Sequence, residues 1–393
     1  MTKPDQAVPD AGPRNAAIDL LRGLSILLVV MHHVALRIPL RDGALQTWLP
    51  RSLLGALSYN GYEAVFLFFV VSGFLIAGNA IDRWGSLAGI NLRAFYARRT
   101  ARILPCLLLL MAVLAVLHLA GVPYFRIERE GQSLGRALLA VLGLHLNWYE
   151  GVTGYLPGNW DVLWSLSIEE MFYLGFPLLC LILRREALLL VPLAALALAL
   201  PWLRAALEGN EIWQEKAYLP GMAAIASGVI SAILVRRLSA VPRILRGMLC
   251  AVGCIGIAAN LLFGSLLWPV LGNGLMLVLT LGAALLLFAL HGERAAAPRG
   301  TGWLASMGRL SYENYLTHMF VVFAAVALYR HFEGNPWFGF LWYAPVVALC
   351  WLLGAVLAHG WSIPCDRALR RRWLARSQSA PSPTTPAATV IPR

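Results

Sequence analysis

The sequence predicts an all-α polytopic membrane protein, and three observations carry that prediction. Hydrophobic residues make up 59% of the 393 residues, whereas charged residues make up only 13%. The mean hydropathy is +0.68. The apolar residues occur in runs of about 20, the length that crosses a bilayer as a helix. Because a water-soluble protein could not cover its surface with this mixture, we predict about ten transmembrane helices plus one short re-entrant or surface helix.

The predicted elements follow the apolar runs along the chain. Residues 1–15 are rich in Pro, Asp and Ala and are predicted to be disordered, and residues 363–393 form a basic and then low-complexity tail. Between them, residues 16–362 form the predicted membrane domain. Apolar runs place its transmembrane helices near residues 18–36, 61–80, 103–120, 162–183, 187–204, 218–235, 244–264, 267–290, 308–330 and 339–361.

Two connecting segments have patterns of their own. Residues 81–102 carry a series of arginines and predict a basic loop. Residues 134–147 are apolar, but a run of about 14 residues is too short to span comfortably. We therefore predict that this second segment is a re-entrant or surface helix.

The distribution of Lys and Arg predicts the orientation of the chain. With the N-terminus inside, most basic residues fall in segments on the cytoplasmic side, as the positive-inside rule requires. Counting residues 134–147 as a span would place the later basic segments outside, so we reject that alternative. The pattern predicts a multi-pass protein of the cytoplasmic (inner) membrane with both termini in the cytoplasm. It also accounts for the net charge of +12 without a nucleic-acid partner.

The first predicted span contains ionisable residues that a simple membrane anchor does not need. Arg22 and His33 are eleven residues apart, which places them within roughly 20° of one helix face and about 16 Å apart along the axis. A neutral imidazole can take a proton from a hydroxyl group near pH 7, which makes His33 the leading candidate base. His32 points about 100° away and is the weaker candidate. The alternatives are a snorkelling anchor for Arg22 and a hydrogen-bonded structural role for His33.

An arginine cluster lies where the predicted basic loop enters the third span. Arg99 and Arg102, preceded by Arg98, are spaced i,i+3. On a helix end, such a pair forms a fork that suits a phosphate or a carboxylate. An anchor that fixes membrane topology is the equally weighted alternative.

The fourth span carries polar groups on one face. Ser165, Glu169 and Tyr173 are spaced i,i+4,i+8, directly after Trp164. Carboxylates inside a span are costly unless they are paired. We expect Glu169 to pair with Arg22 or with an arginine of the basic loop. The alternative is that these groups lie near the outer interface and face water.

Two further polar positions complete the candidate site. Ser72 precedes Gly73 in the second span, where small residues also serve close helix packing. The stretch 311–318 opens the ninth span and ends at His318, with more polar groups than an anchor needs. We find no metal-ligand spacing in the sequence and predict no metal site.

Taken in chain order, these stretches resemble the acyltransferase-3 family of integral membrane acyltransferases. Each would be weak alone, but five in the same order are specific. The matching stretches are residues 18–25 with the Arg22 to His33 spacing, residues 68–76, Arg99 and Arg102 ahead of Pro105, residues 164–174 and residues 310–318.

The resemblance implies a membrane acyltransferase domain over residues 16–362. Acyl-CoA, with acetyl as the expected acyl group, would approach from the cytoplasm, and the acceptor would be a hydroxyl of a cell-surface saccharide or lipid-linked glycan. His33 would deprotonate that hydroxyl or first accept the acyl group. Arg22 would steady the CoA side or the oxyanion. Of the other candidates, Glu169 and Tyr173 would orient reacting groups, Arg98, Arg99 and Arg102 would hold the phosphates of CoA, and Ser72, Trp164, Ser165 and His318 would contact substrate.

A function from a different class is also compatible with these residues. In a transporter or flippase for a lipid-linked or anionic substrate, the arginines would bind the substrate and His33 would relay protons. Transporters more readily show broken helices in paired halves, and no repeat is evident here. The grouping of polar residues at one basic end favours the enzyme.

Overall fold

The computed structural model describes residues 15–238, 241–291 and 298–375. Within these ranges the chain contains helices and no strand, which confirms the predicted all-α class. The α-helices are α1 (Ala16–Ala35), α2 (Arg51–Tyr59), α3 (Gly61–Trp84), α4 (Leu92–Leu119), α5 (Leu134–Leu142), α6 (Leu146–Thr153), α7 (Gly158–Asp161), α8 (Trp164–Leu183), α9 (Glu186–Leu198), α10 (Leu200–Ala205), α11 (Glu211–Lys216), α12 (Tyr218–Arg237), α13 (Arg243–Leu271), α14 (Gly274–Leu290), α15 (Gly302–Arg309), α16 (Ser311–His331), α17 (Tyr343–Leu357) and α18 (Ile363–Ala375).

Several of these helices have the length and apolarity of membrane spans. In the described part of the chain, seven helical stretches meet both criteria, and α9 and α14 are shorter apolar helices. The protein is therefore an all-α polytopic membrane protein, while the count of ten spans stays a prediction. The seven stretches are Ala16–Ala35, Gly61–Trp84, Leu92–Leu119, Gly158–Leu183, Glu211–Arg237, Arg243–Leu271 and Pro336–Leu374.

Helix α3 lies in the middle of the bundle, where it packs against α1, α12 and α14. Its contact with α12 is backbone to backbone, because a Cβ atom on Gly73 would lie 2.0 Å from the carbonyl oxygen of Ile225. Glycine at this position therefore lets the two helices approach closely, as small residues do in membrane bundles. This contact supports the packing interpretation for Gly73 and leaves the neighbouring Ser72 free to face another helix.

The predicted basic loop over residues 81–102 is wrong for most of its length. Helix α3 continues to Trp84, and α4 begins at Leu92, so that Arg99 and Arg102 are helical. The side chain of Asn91 accepts a hydrogen bond from the backbone N–H of Ala94 at 2.9 Å and caps the new helix. Arginine favours helices, and here α4 extends beyond the purely apolar run.

Other boundaries also differ from the apolar runs. The predicted re-entrant or surface helix over 134–147 is two short helices, α5 and α6, separated at Gly143. The predicted span 187–204 is divided into α9 and α10, because Pro201 lacks the N–H that a continuous helix would need. Residues 267–271 belong to the end of α13 rather than to the next helix, which begins at Gly274.

The first half of the predicted tail is structured. Residues 363–375 form α18, which packs along α4, and Arg102 on α4 donates to Ser362 at 3.0 Å just before α18 begins. The basic part of the predicted tail is therefore helical, while the boundary of the membrane domain at residue 362 stays a prediction. The predictions of disorder for residues 1–14 and of a low-complexity segment for residues 377–393 lie outside the described residues.

Candidate active site

Arg99 on α4 connects to two carboxylates on α8. Its Nε and Nη2 donate to one oxygen of Glu170 at 2.9 and 2.7 Å, and Nη2 also reaches Glu169 at 3.3 Å. The expected pairing of Glu169 with an arginine from residues 81–102 is thus found, and Glu170 is the closer partner. All three side chains are largely buried, where pairing offsets the cost of removing charge from water.

Tyr173 and Ser72 extend this cluster. The guanidinium carbon of Arg99 lies 4.0 Å from the centre of the Tyr173 ring, which is a cation–π contact. The hydroxyl of Tyr173 is hydrogen-bonded to Ser72 on α3. The structure therefore brings together four predicted residues, Ser72, Arg99, Glu169 and Tyr173, from three helices.

Arg102 has a separate carboxylate partner. It donates to the two oxygens of Glu313 on α16 at 2.5 and 3.1 Å, and Ser362 donates to the same carboxylate at 2.6 Å. Glu313 is almost completely buried. Both arginines of the predicted fork are thus already ion-paired, although each guanidinium has five N–H groups and retains some beyond these contacts.

Arg22 is held by close packing between α1 and α15. A Cβ atom on Gly308 would lie 1.8 Å from the carbonyl oxygen of Asp19, so glycine is required for this approach. The approach places the start of α16 beside α1, and Arg22 donates to the hydroxyl of Ser311 through Nε at 3.2 Å and Nη2 at 2.8 Å. The charges of Arg102 and Glu313 are close enough to act on Arg22. Arg22 therefore borders the arginine and carboxylate cluster.

The other end of α1 carries a histidine pair that the sequence did not predict. The ring centres of His33 and His318 are 5.2 Å apart, with the planes tilted by 41°. Nδ1 of His318 lies 2.7 Å from the carbonyl oxygen of Tyr315. Because a carbonyl only accepts, this nitrogen carries the proton and Nε2 presents a lone pair. In the described part of the chain, neither Nε2 of His318 nor Nδ1 of His33 has a hydrogen-bond partner, and both atoms are buried.

Helix α7 brings buried polar groups next to α16, the helix that carries His318. Helix α7 contacts α16, and in α7 the buried side-chain amide of Asn159 and the Nε1 of Trp160 find no partner within the described residues. Buried polar atoms without partners are rare in native proteins. Such atoms are expected where a substrate completes the hydrogen bonds.

Two predicted substrate residues instead have structural partners. Ser165 donates to the hydroxyl of Tyr315 at 2.8 Å, and that hydroxyl donates to the carbonyl oxygen of Val162 at 2.8 Å. Trp164 is buried against the rings of Tyr62 and Phe69. Both residues join α8 to neighbouring helices, and Tyr315 lies one turn from His318 on α16.

A buried charged cluster near the histidines escaped the sequence analysis. Lys216 on α11 forms ion pairs with Glu150 on α6, at 2.9 Å, and with Asp161 on α7. Burial raises the pKa of Glu150 and the nearby Asp161 raises it further, while Lys216 opposes both effects. The charges of Lys216 and Arg37 are close enough to act on His33. Isolated charged residues in connecting segments carry no recognisable spacing, so no sequence signal pointed to this cluster.

The remaining predicted residue, Arg98, lies apart from the carboxylates. The charges of Arg83, Arg370 and Asp366 act on it, and its buried Nε has no hydrogen-bond partner among the described residues. Arg370 is itself paired with Asp366 at 2.6 Å. Arg98 is thus part of a predominantly basic region where α4 meets α18.

The site therefore has two levels. An arginine and carboxylate cluster lies at the level of Arg22, which borders it, and a pair of histidines lies about 16 Å further along α1. Positive charge with spare N–H groups suits an anionic ligand, and neutral imidazoles suit proton transfer. Across residues 15–238, 241–291 and 298–375, no group of three or more His, Cys, Asp or Glu side chains is arranged to hold a metal ion.

Comparison with known sequences identifies similar proteins. A family model described as "Acyltransferase domain" matches residues 15–355. The chain is 25% identical over 215 residues to the peptidoglycan O-acetyltransferase OatA of Listeria monocytogenes, a match that covers 52% of this chain and 29% of that protein. It is 29% identical over 172 residues to the O-acetyltransferase OatA of Staphylococcus aureus, covering 41% of this chain and 24% of that protein. The chain thus spans less than a third of the length of these relatives, and no solved structure matches it.

Proposed function

The chain belongs to the acyltransferase-3 family, and from this premise we propose that it is a membrane-embedded O-acyltransferase. It moves an acyl group, expected to be acetyl, from acyl-CoA on the cytoplasmic side to a hydroxyl of a cell-surface saccharide or lipid-linked glycan. The two relatives described as O-acetyltransferases support acetyl and a saccharide as the reactants. In the overall reaction the thioester C–S bond breaks, an ester C–O bond forms, and the hydroxyl proton ends on the sulfur of CoA.

The single observation that carries this proposal is the histidine pair. The ring centres of His33 and His318 are 5.2 Å apart, and within the described residues neither the buried Nδ1 of His33 nor the buried Nε2 of His318 has a hydrogen-bond partner. A neutral imidazole is the side chain best suited to remove the proton of a hydroxyl group near neutral pH. His33 either removes this proton or first accepts the acyl group, in which case Nε2 of His318 removes it.

The arginine level serves the donor in this proposal. Arg98 with its unpartnered Nε, together with the N–H groups that Arg99 and Arg102 do not give to carboxylates, holds the phosphates of CoA. Arg22, at the border of the arginine and carboxylate cluster, steadies the CoA side of the donor or the oxyanion. Glu169 and Tyr173 keep Arg99 in place, and Ser72 fixes the hydroxyl of Tyr173.

The test is acetyl-CoA turnover by the protein purified in detergent, followed by release of free CoA with and without a saccharide. We expect turnover in the wild type and a loss of at least about 100-fold in His33→Ala. Equal turnover in both would remove His33 from the chemistry. A folded wild-type protein that releases no CoA would overturn the enzyme and favour a transporter.

Labelling separates the two routes. Wild-type protein incubated with [1-14C]acetyl-CoA in the absence of saccharide, and then denatured, retains the label if an acyl-enzyme forms. Loss of that label in His33→Ala but not in His318→Gln would assign the covalent step to His33.

A further inference from the structure

A pocket of about 430 Å³ opens beside the histidine level, between the segment after α4, the turn before α7 and the outer part of α16. Its lining includes Tyr124, Arg126, Glu128, Pro157, Gly158 and Phe323. We propose that this pocket binds a sugar ring of the acceptor saccharide and presents its hydroxyl to the histidine pair. This inference rests on the proposed function. The pocket volume is within the range of sites that enclose small ligands.

The pocket contains an aromatic surface that the fold holds in place. The rings of Tyr124 and Phe323 are stacked, with centres 5.0 Å apart and planes 11° from parallel. Tyr124 has a backbone φ of 69°, which is unfavourable for a residue with a side chain. Arg330 donates to its hydroxyl at 2.8 Å and fixes the ring. Strained backbone persists where the surroundings impose it, often at ligand sites, and a fixed aromatic face offers large contact area at a low entropy cost.

The pocket also presents polar groups at its edge. Arg126 and Glu128 form an ion pair at 3.0 Å, and both side chains are more than half exposed. They supply N–H donors and carboxylate acceptors side by side. A donor and an acceptor at the edge of a pocket with an aromatic lining suit a polyhydroxylated ring, whose hydroxyl groups both donate and accept.

The pocket lies within one or two helical turns of both histidines. Arg37 follows the end of α1, four residues after His33. Its guanidinium carbon lies 4.7 Å from the centre of the Phe323 ring, and its Nη1 donates to the carbonyl oxygen of His33 at 2.9 Å. On α16, Met319 follows His318 directly. A Cβ atom on Gly158 would lie 2.8 Å from Cε of Met319 and 3.3 Å from Nη2 of Arg37. The start of α7 therefore connects the pocket to α16 and to the segment that follows α1.

The position of the pocket explains how two substrates reach one reaction centre. The acyl donor occupies the arginine level, and the saccharide enters at the opposite end of α1. In the direct route, the histidine pair takes the proton of the acceptor hydroxyl as its oxygen attacks the thioester carbon. The C–S bond then breaks, the imidazolium returns that proton to the sulfur, and CoA leaves as the thiol toward the arginine level.

The test compares Tyr124→Ala with Tyr124→Phe, using tri-N-acetylchitotriose as the acceptor probe and acetyl-CoA as the donor. The matched control is Tyr59→Ala, because Tyr59 is a similarly exposed tyrosine whose hydroxyl accepts a hydrogen bond from Arg41 at 3.0 Å but which does not line the pocket. We expect the KM for the saccharide to rise about tenfold in Tyr124→Ala and far less in Tyr124→Phe. The KM for acetyl-CoA, which binds at the arginine level, should rise in none of the variants, and Tyr59→Ala should also keep the wild-type KM for the saccharide.

A second measurement does not depend on the tyrosine. In Arg126→Cys, labelling with a bulky maleimide should block transfer to the probe, and the probe should slow the labelling. The same treatment of the wild type, whose Cys254 is also exposed, should leave transfer intact. Two results would overturn the saccharide pocket and leave the proposed function standing. One is wild-type acetyl-CoA turnover that does not depend on the probe, and the other is an unchanged KM for the saccharide in Tyr124→Ala. A wild type that releases no CoA would overturn both.

Discussion

His33 on α1 and His318 on α16 face each other with ring centres 5.2 Å apart, each with a buried ring nitrogen that lacks a partner among the described residues. The contact of Nδ1 of His318 with the carbonyl oxygen of Tyr315 determines which nitrogen of that ring bears the lone pair. His318 is therefore oriented as a hydrogen-bond acceptor or base before any substrate arrives.

This orientation predicts a strong effect of His318→Gln on catalysis. We expect kcat to fall by about 10²- to 10⁴-fold, with little change in the KM for acetyl-CoA, because the donor binds at the arginine level. The control is His359→Gln, since Nδ1 of His359 also contacts a backbone carbonyl oxygen, that of Ala355 at 2.8 Å, but the ring is exposed. Wild-type turnover in a folded His318→Gln variant would exclude His318 from the chemistry.

The ion pair between Arg99 and Glu170 predicts a large loss of stability on neutralising the carboxylate. Glu170→Gln leaves a buried arginine with weaker compensation, and we expect the free energy of unfolding to fall by about 3 kcal/mol. Glu186→Gln is the control, because the Glu186 pair with Arg237 has the same 2.7 Å separation but is more exposed, so its loss should cost less than about 1 kcal/mol. Thermal unfolding in detergent measures both changes. Equal shifts would show that burial does not strengthen the Arg99 pair.

The contact between α1 and α15 predicts that Gly308→Ala disrupts the site. The added methyl group would lie 1.8 Å from the carbonyl oxygen of Asp19, which forces the helices apart and moves Ser311 away from Arg22. We expect reduced thermal stability and reduced turnover together. The control is Gly247→Ala on α13, where the new methyl group meets nothing within 4 Å and alanine favours the helix by up to about 1 kcal/mol. A stable and active Gly308→Ala variant would contradict the packing.

The buried Lys216 cluster predicts a stabilising role at the histidine level. Lys216→Met leaves Glu150 and Asp161 without their cation, and we expect a loss of about 3–5 kcal/mol in the free energy of unfolding. The double variant Lys216→Met with Glu150→Gln should recover part of this loss, because it removes one of the uncompensated carboxylates. Thermal unfolding of the wild type, Lys216→Met, Glu150→Gln and the double variant measures these losses, and a double variant that loses the sum of the two single losses would refute the pairing.

The proposed phosphate contact predicts a specific defect in Arg98→Ala. We expect the KM for acetyl-CoA to rise about tenfold with kcat little changed, because a charge-assisted contact to phosphate is removed far from the histidines. Arg184→Ala serves as the control, since Arg184 is an exposed arginine whose Nε donates to the backbone carbonyl oxygen of Leu181 at 3.4 Å. The same KM in Arg98→Ala and the wild type would place the phosphates elsewhere.

The amino-acid sequence by itself determined the class of the protein and proposed most of the polar residues of the candidate site. Apolar runs of spanning length are a local property, and so is the helical spacing that places Arg22 and His33 on one face. Helix boundaries were less accurate, as the extension of α4 to Leu92 shows, because polar residues continue a helix beyond the apolar run that reveals it.

Only the tertiary structure decided which of these residues meet. Arg102 and Glu313 are 211 positions apart. The sequence predicted Arg102 as part of an arginine fork free to bind phosphate, because no local pattern reveals a carboxylate so far along the chain. Two further contacts depend on how helices from distant parts of the chain pack together. One is the contact between the rings of His33 and His318, and the other is the burial of Lys216 between two acidic residues. Inside a membrane bundle a charge must find its partner within the protein, and the packing of the helices selects that partner.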